Sequence, residues 1–105
     1  MTEEINIKEK LKELLPVGSI VVTKSSQKKI VIMGILQMQP EQKQVYDYMG
    51  VFYPEGFVGL NACVLFQHKD IAEILFRGYE DKERELFMEF FSTTFSAALE
   101  QANGE

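Results

Sequence analysis

The sequence predicts an α+β fold: a short N-terminal helix, a strongly bent antiparallel sheet of about five strands, and a long C-terminal helix. Three observations predict it. Apolar residues recur at helical spacing only at the two ends of the chain. Between them lie β-branched and aromatic runs separated by polar or Gly- and Pro-containing turns. No helical stretch long enough to cross between parallel strands interrupts those runs, so consecutive strands are expected to form an antiparallel meander.

The elements follow in order. Asn6-Ile7-Lys8-Glu9 has the form of a capping box, and Ile7, Leu11, Leu14 and Leu15 then share one helical face until Pro16 and Gly18. Ile20 to Thr23 and Ile30 to Met38 read as a hairpin across the polar turn 24–28. Gln39-Pro40-Glu41-Gln42-Lys43 reads as a loop, and Val45 to Tyr53 as a third strand. Tyr53-Pro54-Glu55-Gly56 suits a type I turn, with Pro second and Gly fourth. Ala62 to Phe66 and Ile74 to Arg77 are the last two strands, with His68-Lys69-Asp70 a turn between them. A helix from about Asp81 to Ala102 closes the chain, with acids at its start, where the macrodipole favours them.

Two glycines shape the architecture. Gly34 and Gly50 stand inside the second and third strands, where glycine marks a bulge or bend. A bent sheet approaching a small barrel is the expected result.

The chain has 105 residues, 46% of them apolar, enough for a single domain over 1–105 with its own core. Cys63 is the one cysteine, which excludes an intramolecular disulfide and fits a reducing compartment. The acidic start of the chain and the lack of a long apolar run give the expectation of a soluble, cytoplasmic protein. Net charge is −5, with scattered bases, so neither nucleic acid nor an anionic membrane is an expected partner.

The long strands are apolar on both faces. Ile30, Ile32, Leu36 and Met38 alternate with Val31, Met33 and Ile35. Tyr46, Tyr48 and Phe52 alternate with Val45, Met49 and Val51, with Asp47 among the latter. A sheet with one wet face alternates apolar and polar residues instead. Either the chain covers both faces itself, or a partner covers part of them. The wide stripe of Leu86, Phe87, Phe90, Phe91, Phe95 and Leu99 on the C-terminal helix poses the same choice: a helix laid on the sheet, or one offering an edge to another helix.

No catalytic, cofactor-binding or metal-ligating residues are assigned. A nucleophile needs an adjacent base, and nothing in the spacing of Cys63, His68 and Asp70 sets one up. One His and one Cys do not make a zinc site. Gly56-Phe57-Val58-Gly59 lacks the Gly-Lys-Ser/Thr of a phosphate loop. Binding to another protein is therefore the expected activity. Its expected contact residues are the aromatics Tyr46, Tyr48, Phe52, Tyr53 and Phe57, the usual hot-spot types. A second copy joined through the C-terminal helix or an edge strand would also cover apolar surface.

Read together, several segments resemble one family. They are Leu15-Pro16-Val17-Gly18-Ser19-Ile20-Val21, Tyr46-Asp47-Tyr48-Met49-Gly50-Val51, Tyr53-Pro54-Glu55-Gly56-Phe57, Phe66-Gln67-His68-Lys69-Asp70-Ile71 and Phe76-Arg77-Gly78-Tyr79. In this order the chain resembles, over about residues 15–89, the domain-of-unknown-function family numbered 4176. These are small proteins of Gram-positive bacteria, often encoded beside LXG-domain toxins exported by type VIIb secretion. The resemblance implies an accessory role: a chaperone or targeting adaptor for an LXG effector or its small helical partner proteins. The competing reading is an immunity protein that binds and neutralises a cognate toxin.

Overall fold

The computed structural model describes residues 13–39 and 44–103. Five strands form one antiparallel sheet: β1 (Ile20–Thr23), β2 (Lys29–Gln39), β3 (Gln44–Phe52), β4 (Val64–Phe66) and β5 (Ile71–Phe76). Helix α1 (Lys82–Asn103) follows. The fold is α+β. The chain divides into two compact units, residues 15–79 and the two chain ends, up to residue 14 and from residue 80. The expected N-terminal helix and the loop at 40–43 fall outside the described residues, save that Glu13 is helical.

The strand order is β4-β3-β2-β1-β5. The first four strands run as the expected meander, but β5 does not pair with β4. It joins the opposite edge, with Ile20 facing Phe76 and Thr23 facing Ile71. Four strand spacings of about 4.8 Å separate β4 from β5 in a flat sheet, or about 19 Å. The link between them is a single 3-10 turn, His68–Asp70, whose rise is only about 2 Å per residue. A flat sheet cannot accommodate that link, so the sheet curls.

The bend has a location. The β2–β3 register shifts between Ile32 and Gly34, with Ile32 facing Gly50 and Gly34 facing Met49. Both mid-strand glycines thus stand at a bulge, which bends a strand and increases its twist. Gly50 is required by close approach: a Cβ there would lie 2.5 Å from Ile30 Cγ2 and 2.8 Å from the Val31 carbonyl oxygen. Two residues beyond Gly34, Leu36 adopts φ +52, and its buried side chain helps to offset that conformation.

The core gathers Leu15, Val21, Ile30, Ile32, Leu36, Tyr48, Val51 and Phe66. On β2 the even-numbered face is the inner one. The odd face is only partly covered, with Val31 and Ile35 half-buried and Met33 39% exposed. Of the two alternatives left open by the sequence, cover by the chain itself is incomplete on the odd face of β2. β5 departs further: Ile74, Leu75 and Phe76 are all exposed. Buried Ser19 ties this unit together, donating to the Pro16 carbonyl at 2.7 Å and accepting the Gly78 amide at 2.9 Å.

Three local expectations are corrected. Residues 60–62 form a 3-10 turn, and β4 begins only at Val64. β5 starts three residues earlier than expected, because the bond from the Lys24 amide to the Asp70 carbonyl delivers Ile71 directly to its partner Thr23. At 53–56 the Gly56 amide does not bond the Tyr53 carbonyl as expected of a hydrogen-bonded type I turn. The Tyr53–Pro54 peptide is cis, and the Gly56 amide bonds the Phe52 carbonyl at 2.8 Å.

In the second unit, Asp81 caps α1, accepting the Arg84 amide on Oδ1 at 3.0 Å. Arg84 also donates to the Leu14 carbonyl at 3.0 Å. The apolar stripe divides on the described side chains. Arg84, Met88, Phe91 and Ser92 are half-buried, whereas Leu86, Phe87 and Phe90 are exposed.

Candidate functional site

The aromatic residues expected to make one contact surface have different fates. Tyr48 is fully buried. It is removed from that surface, because reaching a partner would mean opening the core. Its ring lies 5.3 Å from that of Phe66. Its hydroxyl accepts the Leu15 amide at 2.9 Å and stands 2.6 Å from His68 Nδ1.

Around Tyr48 the 3-10 turn is fastened to β3 by polar groups. The Gln67 side chain works as an extra strand residue: its oxygen accepts the Asp47 amide at 3.2 Å and its nitrogen donates to the Val45 carbonyl at 3.1 Å. Buried Asp47 accepts the His68 amide at 2.7 Å. Asp70 accepts the Gln67 amide at 3.1 Å, a local cap on this turn. These are structural fastenings. They use the one histidine to hold Tyr48 and the 3-10 turn in place.

Cys63 is half-buried, and its thiol donates to the Gly59 carbonyl at 3.7 Å. His68 Nδ1 faces the Tyr48 hydroxyl, and the Asp70 carboxylate accepts the Gln67 amide. Among the described residues no group of three or more His, Cys, Asp or Glu side chains is placed to hold a metal ion. No helix among them is long and apolar enough to cross a membrane.

The other four aromatics divide by position. Tyr46 is half-buried and pairs with Gln37 toward one end of β3. Phe52 is half-buried at the opposite end, facing Ile30. Six residues of strand, about 20 Å, separate them. Tyr53 (46% exposed) and Phe57 (58% exposed) continue from Phe52 into the β3–β4 loop. Phe52, Tyr53 and Phe57 therefore share one end of the sheet, and Tyr46 does not.

The loop holds further exposed apolar residues that the sequence reading did not single out. Val58 is 66% and Leu60 77% exposed. The available signal was Gly56-Phe57-Val58-Gly59-Leu60, an apolar run bracketed by glycines. With φ of +75 and +124, Gly56 and Gly59 turn the backbone where a strand would otherwise continue. Lys28 anchors the loop to the β1–β2 turn, donating to the Tyr53 carbonyl at 3.1 Å and to Glu55 at 2.9 Å. That contact holds the Glu55 carboxyl below its usual range, first through the hydrogen bond from Lys28. The Lys29 ammonium lies 5.9 Å from the Tyr53 ring centre. This end of the sheet, apolar at its tip and basic beside it, is the candidate site.

No curated protein and no solved structure gives a significant match to the chain. A family model does match, described as "Domain of unknown function (DUF4176)", over residues 14–87. That span covers the whole sheet and the start of α1. Since the match takes in well over half of the sequence, the chain belongs to the DUF4176 family.

Proposed function

We propose that this protein is a protein-binding accessory factor, a chaperone or targeting adaptor acting in the cytoplasm on an LXG effector of type VIIb secretion or on its small helical partner proteins. The observation that carries the reading is the amount of large apolar side chain left at the surface. Phe57, Val58 and Leu60 on one loop, Ile74, Leu75 and Phe76 on β5, and Leu86, Phe87 and Phe90 on α1 are all more than 40% exposed. Clusters of this kind mark interaction surfaces. Family membership supports the choice of partner through the resemblance that motivates it. In this reading the chain performs no reaction and holds no cofactor.

The test is a tagged pull-down from the native cells, with mass spectrometry of the eluate, alongside deletion of the gene. Recovery of an LXG effector or its helical companions, with export lost on deletion, is expected. A clean eluate from folded bait together with unchanged export sinks the proposal. The net charge of −5 favours a second reading, an immunity protein drawn to a basic toxin domain by opposite charge. Co-expression separates the two, since only an immunity protein protects cells from the toxin.

A further inference from the structure

We propose that the end of the sheet built from the β1–β2 turn and the β3–β4 loop docks a short acidic, amphipathic segment of the partner protein. This rests on the protein-binding reading above and narrows it to one surface and one ligand chemistry. The segment's apolar side chains pack on Phe57, Val58 and Leu60, and its carboxylates meet Lys24 and Lys29.

Register puts these groups together. Val22 faces Lys29 and Ile30 faces Phe52, so the turn after β1 and the loop after β3 leave the sheet at the same end. The Tyr53 amide bonds the Lys29 carbonyl at 2.9 Å, and Lys28 ties Glu55 to the turn. The loop is therefore held beside the lysines. Lys24 and Lys29 are exposed and enter no ion pair among the described residues.

Charge selects the ligand. The chain as a whole carries −5, yet on this turn and loop Lys24, Lys28 and Lys29 outnumber Glu55. On β5 the exposed apolar residues lie between Glu73 and Arg77, and on α1 Glu83, Glu85 and Glu89 outnumber Lys82 and Arg84. An acidic segment is attracted here, finds no net attraction at β5 and is repelled at α1, so the field steers it to this end of the sheet. An anionic bilayer is the other candidate for a basic, apolar tip. It presents charge over a wide plane and so meets Glu55 on the loop and Glu73 opposite Val22 as well, which a short peptide avoids.

The experiment is selection from a random peptide-display library with the full chain as bait. Affinities of the enriched peptides are then read by fluorescence anisotropy. Expected are peptides in which Asp or Glu alternates with Leu, Ile or Phe, with binding that weakens as salt rises. Phe57→Ser with Leu60→Ser, and separately Lys24→Glu with Lys29→Glu, weaken them at least tenfold. Leu86→Ser with Phe90→Ser leaves them within twofold. All these positions are solvent-facing, and amide spectra check that each variant is folded. A basic or uncharged consensus overturns the proposal, as does affinity that follows the α1 variant. Binding to phosphatidylglycerol vesicles without peptide binding assigns the surface to a membrane, and a dimer abolished by the loop variant assigns it to a second copy. A partner recovered by pull-down whose binding ignores both end variants sinks this inference and leaves the protein-binding reading standing. An empty pull-down with unchanged export takes both down.

Discussion

Tyr48 and Tyr53 lie five residues apart on one stretch of chain, yet they live in different environments. Tyr48 stands inside β3 with strands on both sides, and its hydroxyl is held by the Leu15 amide beside His68. Tyr53 stands just beyond the end of β3, 46% exposed, with a lysine near its ring. The difference teaches that residue type does not separate core from contact surface in this protein. Position relative to the strand ends does. Tyr48, on the inner face of a strand with neighbours on both sides, has its ring covered, and its hydroxyl must then find a partner inside. One residue past the end of β3, the same ring faces solvent.

The largest effect expected follows from breaking the buried side of this comparison. Tyr48→Ala removes the largest fully buried side chain and strips the Leu15 amide of its acceptor. A loss of about 3–5 kcal/mol is expected, a large share of the stability of a domain this size. Tyr48→Phe keeps the ring and removes only the hydroxyl, for about 1–3 kcal/mol. Chemical denaturation reads both. Equal losses for the two variants would mean that the hydroxyl network, and not the ring, holds this region.

Next in size is the bend. Gly50→Ala sets a Cβ against Ile30 Cγ2 and the Val31 carbonyl, and the latter is backbone that cannot rotate away. About 1–3 kcal/mol of destabilisation is expected. Gln67→Ala removes two side-chain bonds to the β3 backbone, for about 1–2 kcal/mol. Hydrogen exchange should then rise at Asp47, whose amide the Gln67 oxygen accepts. Unchanged protection there would assign the 3-10 turn's anchorage to Asp47 and Tyr48 alone.

Much of this was legible in the sequence. The alternation on β2 separated Ile30, Ile32 and Leu36 from Val31, Met33 and Ile35, and the structure buries the first set more deeply. Gly34 and Gly50 announced the bulge, because a strand interior tolerates glycine only where backbone crowds or kinks. The site was less legible. Side-chain period on β3 put Tyr46, Tyr48 and Phe52 on one face, but the bulge shifts that register, and Asp47 and Tyr48 are both buried. A local pattern carries no trace of β5 crossing to pair with β1, since that pairing joins residues about fifty positions apart. Nor does helical spacing on α1 say which part of a wide apolar stripe faces outward.

The exposed side of the comparison makes the opposite prediction. Phe57→Ser should leave stability within about 0.5 kcal/mol, since the ring is 58% exposed already. Partner binding should nevertheless weaken. Together with Tyr48→Phe, which should lower stability and spare binding, it forms a crossed pair. A loss of both properties in either variant would show that the loop and the core are coupled.

The smallest effect concerns the anchor between loop and hairpin. Lys28 lowers the Glu55 carboxyl below its usual range in the folded protein. A carboxyl with a depressed folded value binds protons less readily than the unfolded chain does. Its contribution is therefore complete above the unfolded value, and is lost as pH falls through the folded one. The Glu55 side chain is exposed, so the effect on overall stability is slight and is screened by salt. Its reach is local: acidification should release the 53–56 turn from Lys28 before the sheet responds. Carboxyl-detected NMR titration of Glu55 should give a midpoint below that of a free glutamate and shift it upward in Lys28→Met. An unshifted midpoint in the wild-type chain would mean that the ion pair does not hold the loop in solution. The loop would then be positioned by the Tyr53–Lys29 backbone bond and its two turning glycines alone.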